Sequence, residues 1–206
     1  MIKTLYHGTD ANVTVLKPLG VDMGMIFQKP QWAIYFWDNY LNAFRWAVFQ
    51  TARRIGTVKL MYHIPTGKFM VKDVDVSKLN AVIGKTCYVY RTKANLGDYR
   101  YGSSPDIQEY TINRDVVPDL KVATKITEQV LNDSVIVVTQ LEWDQYITQA
   151  KAGKFKSRNI LFSLVMDPTR DLLRHKYHAK IQSGELKPGD DLSKVALESI
   201  PPSQLW

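Results

Sequence analysis

Up to about Lys125 the chain alternates short apolar runs with polar turns, and beyond that point the apolar residues recur at helical spacing. Lys3–His7 predicts a strand, followed by turn chemistry at Gly8-Thr9-Asp10. Ala33-Ile34-Tyr35-Phe36 predicts a compact apolar strand. Asp38 or Asn39 is then a good N-cap for a helix running to about Arg54 and stopped by Gly56. Leu41, Phe44, Ala47, Val48 and Thr51 fall on one face of that helix. Thr57–Ile64, Phe69–Val71, Thr86–Tyr90 and Ile107–Ile112 also read as strands, as does Val116–Ala123, which Pro118 interrupts. Residues 91–105 are polar and contain Gly97 and Gly102, so they read as a loop. Val135–Val138 is a candidate last strand. Leu141–Ala150, Ile160–Met166 and Arg170–Ile181 are expected helices, and the proline-bearing tail is expected to be a loose strap.

The pattern therefore predicts an α+β fold, with a β-sheet core and flanking helices over residues 1–140 and a basic, helical C-terminal extension over residues 141–206. The alternative is that the extension is part of the same domain. The 206 residues and the 45% hydrophobic content suit one ordinary domain with an extension. The start MIKTLYHGTD lacks the apolar stretch of a signal peptide, and no apolar run reaches membrane-spanning length. A cytoplasmic protein without membrane contact is the expectation. The net charge of +7 favours nucleic acid or acidic protein partners. The single cysteine, Cys87, lies in a strand-like run with nothing to activate it, and reads as a buried thiol rather than a nucleophile. His175 and His178 lack acidic or cysteine partners at ligand spacing, so no metal is expected. No Walker or Rossmann glycine loop is present.

Three local patterns carry chemistry: Leu5-Tyr6-His7-Gly8-Thr9, then Ala33-Ile34-Tyr35-Phe36-Trp37-Asp38-Asn39 ahead of a helix, then Ile107-Gln108-Glu109-Tyr110-Thr111-Ile112 on a late strand. Each alone reads as a turn, a core strand and an outward glutamate. In this order they resemble the His-Tyr-Glu class of the ADP-ribosyltransferase superfamily, the poly(ADP-ribose) polymerase and diphtheria-toxin-like enzymes, over about residues 1–125. Val117-Pro118-Asp119-Leu120 is similar to the strand after that family's catalytic glutamate.

The resemblance implies an ADP-ribosyltransferase-like split mixed β-sheet and NAD+ as substrate, with no metal. It implies that Gly8 pairs its backbone with the nicotinamide carboxamide, that His7 and Thr9 contact the sugar side, and that Tyr35 stacks on the nicotinamide ring with Trp46 closing the other face. Glu109 would be the catalytic residue, holding a ribose hydroxyl and stabilising the cation that develops at C1. The polymerase-like subgroup often carries a serine hydroxyl on the helix after Tyr35, where this chain has Ala43. Arginine-directed members carry a second Glu or Gln two residues before the glutamate, where this chain has Ile107.

Arg91, Lys93, Tyr99, Arg100 and Tyr101 are candidate acceptor contacts, with cations for phosphate and rings for stacking. The expected activity is transfer of a single ADP-ribose to a nucleic acid or protein, with a small-molecule acceptor a third option. The small basic format suits a toxin or phage–host conflict effector with an inhibitor or antitoxin partner. The alternatives are a catalytically inactive ADP-ribosyl-fold module that binds nucleic acid or protein, a basic binding protein, and an RNA 2′-phosphotransferase. The last needs an Arg-His-His-Arg set and has no use for Glu109.

Overall fold

A computed structural model describes residues 1–22, 31–53, 59–63, 65–72, 74–102, 109–154, 177, 179–181 and 183–192. Gly56, Ile107, Gln108, His175, His178, the expected helix at 160–166, most of the one at 170–181 and the end of the tail lie outside the described residues.

The fold is α+β. The main sheet runs β7 (Arg100–Gly102), β8 (Glu109–Ile112), β3 (Gln31–Trp37), β1 (Ile2–Thr9), β6 (Thr86–Asn95) and β9 (Leu120–Lys125), and β2 (Gly20–Asp22) also pairs with β3. All of these pairings are antiparallel. A second sheet orders β10 (Val135–Val137), β5 (Lys68–Lys72) and β4 (Lys59–His63), with β10 parallel to β5. Such a pairing needs a crossover, and the chain between them supplies one.

Helix α1 (Tyr40–Arg53) packs between the sheets. Its N-cap is Asn39, whose Oδ1 accepts the N–H groups of Leu41 at 2.8 Å and Asn42 at 3.4 Å. Asp38, the other candidate, is taken up by Lys3 Nζ at 2.9 Å. Ala47, Val48 and Thr51 are buried as the helical spacing predicts. Leu41 is not: it is 47% exposed, because the helix turns Ala43 rather than Leu41 onto the sheet. One core joins α1 to Phe69 and Val71 of β5, Leu131 of α3 (Glu128–Ser134), Leu79 of α2 (Val76–Asn80) and Cys87. Burial pushes the Cys87 thiol up to about 11, which keeps it protonated.

The expected loop over 91–105 is corrected over residues 91–102. Strand β6 continues to Asn95, a 3-10 turn spans Leu96–Asp98, and Arg100 begins β7. The alternation was present in the sequence: Thr92 and Ala94 point inward, and the polar Arg91, Lys93 and Asn95 between them point outward. Composition read as loop because the outward positions of this second half of the strand, Arg91, Lys93 and Asn95, are all hydrophilic. The strand expected at Val116–Ala123 starts at Leu120, and Val116 makes a single bridge to Leu16. Neither β2 nor α2 was expected.

Within 141–206, α4 (Gln140–Lys151) starts with a Thr139–Glu142 capping box and packs Trp143 and Tyr146 on Met70 of β5. Tyr177, Leu186 and Leu192 pack against Val21 and Trp32 in a separate cluster. Among the described residues no helix is long and apolar enough to cross a membrane.

Candidate active site

Strand β1 has unequal neighbours. It pairs with β6 at eight positions, from Ile2↔Asn95 to Thr9↔Tyr88, but with β3 only at Tyr6↔Trp37. Beyond that pair the ladder between β1 and β3 stops among the described residues, and the residues that follow on β1 are His7, Gly8 and Thr9. On β3, whose direction is opposite, the residues leading up to the pair are Tyr35 and Phe36. The sequence-predicted residues of the first two motifs therefore border this opening in the ladder.

The register sorts the side chains. Residues directly opposed on neighbouring strands share a face, as do residues two apart on one strand. Leu120, Arg91, Tyr6, Trp37, Glu109 and Gly102 form one row across the sheet. Gly8, Tyr35 and Thr111 follow on the same face. His7 belongs to the opposite face with Leu5, Phe36, Tyr90 and Tyr110, and its ring lies 5.7 Å from that of Phe36. The imidazole is thus on one side of the opening, and Tyr35 and Glu109 are on the other.

His7 Nδ1 is 2.7 Å from the backbone oxygen of Tyr35. A carbonyl only accepts, so Nδ1 carries the proton and Nε2 keeps its lone pair. Burial lowers the His7 pKa below its ordinary 6.5, and the bond to Tyr35 opposes that shift only in part. The ring is neutral at pH 7, with one acceptor nitrogen. Tyr35 is half-buried and donates its hydroxyl to the carbonyl of Val21 on β2. Its ring crosses Gly20 so closely that a Cβ there would sit 3.0 Å from Tyr35 Cε2. Glu109 is half-buried at the start of β8, directly opposite Trp37.

Gly8 has a structural duty as well. A Cβ at this position would lie 1.8 Å from the Ala43 carbonyl oxygen and 2.9 Å from the Ala47 nitrogen, so α1 rests directly on the glycine. The space on Gly8's face is filled by Trp37, Ala43 and Val89, with Tyr6, Phe44 and Trp46 around them. Trp46 is packed against Trp37 at 6.3 Å and against Phe49 and Phe69 at 5.4 Å each. The Thr9 hydroxyl accepts the Ala11 N–H at 3.2 Å, which closes the turn after β1.

The candidate acceptor residues separate. Arg91 and Lys93 lie on β6, on the Glu109 face, with Arg91 bonded to Asp119 at 2.9 Å, a contact that raises its pKa further. Tyr99 turns away: its ring meets Phe36 edge-on at 5.7 Å in the core of the His7 face. It also borders a cavity of ≈ 310 Å³ lined by Gln31, Asp98, Thr111, Asn113 and Arg114 among others. Arg100 and Tyr101 lie on β7, opposite Thr111 and Tyr110.

Sequence reasoning missed Tyr6 and Trp37, which stand between Arg91 and Glu109 in the row. Trp37 is buried, and its indole Nε1–H has no hydrogen-bond partner among the described residues. The signal was available, since each lies two residues from a predicted site residue, Gly8 or Tyr35, and so shares its face. Among the described residues no group of His, Cys, Asp or Glu side chains could hold a metal. No family model, no curated protein and no solved structure matches the chain.

Proposed function

We propose that the protein is an NAD+-dependent ADP-ribosyltransferase that releases nicotinamide and passes a single ADP-ribose to a macromolecular acceptor. The observation that carries the reading is the opening between β1 and β3, bordered by His7, Gly8 and Tyr35 and adjoined by Glu109 on the next strand.

The chemistry requires those groups. NAD+ reacts by breaking the bond between nicotinamide nitrogen and C1 of the ribose. The bonding pair leaves with nicotinamide, which becomes neutral, and positive charge spreads over C1 and the ring oxygen. A carboxylate at Glu109 accepts a hydrogen bond from a ribose hydroxyl and stabilises that charge. An acceptor O–H or N–H then bonds to C1 and loses its proton to water. Backbone groups at Gly8 are suited to the carboxamide, which needs one donor and one acceptor. His7 Nε2 is suited to accept a hydrogen bond from a ribose hydroxyl, and the Tyr35 ring to lie against the nicotinamide.

A second reading, a binding module of the same architecture without catalysis, is favoured by one observation: Trp37 and Ala43 fill the face of Gly8 beneath α1. The two readings separate in one assay. Nicotinamide release from NAD+ is measured with and without RNA, DNA or cell lysate, in the native chain and in Glu109→Gln. The transferase reading expects release that falls about 100-fold in Glu109→Gln with an unchanged melting temperature. No release under any condition supports the binding module.

A further inference from the structure

Tyr40, the first residue of α1, is 38% exposed. Its ring is stacked on Phe44, with centroids 6.2 Å apart and planes 7° from parallel, and it meets Tyr6 edge-on at 5.6 Å. The three rings make a continuous aromatic shelf whose outer member reaches solvent. Tyr6 fixes where the shelf lies, because it is directly opposite Arg91 on β6 and Trp37 on β3, and Trp37 is directly opposite Glu109. Two strand spacings, about 10 Å, separate the Tyr6 and Glu109 backbones.

Cations flank the shelf on the side away from Glu109. Arg91 uses Nε for Asp119, and its two Nη groups have no partner among the described residues. Lys93, exposed on the same face of β6, has no carboxylate partner among them either. A ring that backs a flat ligand, next to the Arg91 Nη groups and the Lys93 ammonium, fits a base and its phosphates. An acidic peptide would satisfy the cations but would have no use for the stacked ring.

We infer that this shelf binds single-stranded nucleic acid, stacking one base on Tyr40 with its phosphates on Arg91 and Lys93, and so presents a nucleobase as the acceptor. The inference rests on the ADP-ribosyl transfer reading for its chemistry. A base nitrogen bonds to C1 of the ribose, the nicotinamide–C1 bond breaks with its electron pair leaving on nicotinamide, and the base proton goes to water. Single strands are required because a paired base has no exposed face to stack.

The test is fluorescence anisotropy of the full chain, without NAD+, against fluorescein-labelled oligo-dT and oligo-rA, with a hairpin duplex as competitor. Single strands are expected to bind in preference to the duplex, with affinity falling as salt rises. Tyr40→Ala should weaken binding roughly ten-fold at every salt concentration, and Tyr40→Trp should restore it. The Arg91→Gln, Lys93→Gln double variant should lower the slope of log affinity against log salt by about 1.4. Absence of binding to either oligonucleotide at low salt, or an unchanged affinity in Tyr40→Ala, overturns the inference. So does label from NAD+ in lysate that survives nuclease and is lost to protease. Because the binding assay contains no NAD+, oligonucleotide binding without nicotinamide release would keep the shelf and remove the transferase.

Discussion

The two edges of β1 differ in kind. Toward β6 it is paired from end to end, and toward β3 it is joined at one position. The edge toward β6 is scaffold, held by the ladder, and on the face of β1 α1 rests so tightly that position 8 admits no side chain. The open edge is where His7 leans on the Tyr35 carbonyl instead of on a ladder bond. One strand is thus anchored along one edge and joined at a single registered position along the other. If that division is right, substitutions on the two edges should fail differently, in stability on the first and in ligand binding on the second.

The largest effect belongs to the face of β1 that α1 covers. Gly8→Ala places a methyl group 1.8 Å from a backbone oxygen that cannot move without α1. The expected loss is about 3 kcal/mol or more of unfolding free energy, read as a clear fall in denaturant midpoint. An unchanged midpoint would mean that the helix does not rest on β1.

His7→Asn tests the open edge. The amide N–H can still donate to the Tyr35 carbonyl, but the acceptor corresponding to Nε2 is lost. The Michaelis constant for NAD+ is expected to rise about ten-fold with stability nearly kept. The variant also removes a pH dependence whose sign is fixed. A folded His7 pKa below 6.5 means that the unfolded chain binds the proton more readily. Its stabilisation is present above pH 6.5 and is lost as pH falls through the folded value. Urea midpoints from pH 7.5 to 5 should decline less steeply in His7→Asn, with His63, whose pKa burial also lowers, contributing equally to both proteins. Smaller still, Tyr35→Phe strips the Val21 carbonyl of its phenol donor and should cost about 1 kcal/mol of stability.

Much of this arrangement was legible in the sequence. The strands bearing His7, Tyr35 and Glu109, a cap at Asp38 or Asn39 and the burial of Ala47, Val48 and Thr51 all follow from periodicity and capping chemistry, which act within a few residues. Three things did not follow. The 91–102 segment was misread because charge on one face masked a period-two pattern on the other. Tyr99 was assigned to the surface on composition, whereas its environment is set by Phe36, 63 positions away in sequence. The shelf of Tyr6, Tyr40 and Phe44 depends on which strand lies beside β1 and on where α1 settles, and local sequence rules do not contain strand order. Residues that share a face with a predicted site residue are the recoverable part: Trp37 is two positions from Tyr35 and could have been placed beside it from the period alone.

The opening between β1 and β3 can be examined directly by backbone amide NMR of the Glu109→Gln chain titrated with NAD+, a variant chosen so that the ligand is not consumed. The account predicts shifts concentrated at His7, Gly8, Tyr35 and Thr111, with the paired residues of β6 and β9 nearly silent. Shifts centred on β6 and β9, or no shifts at all, would contradict it.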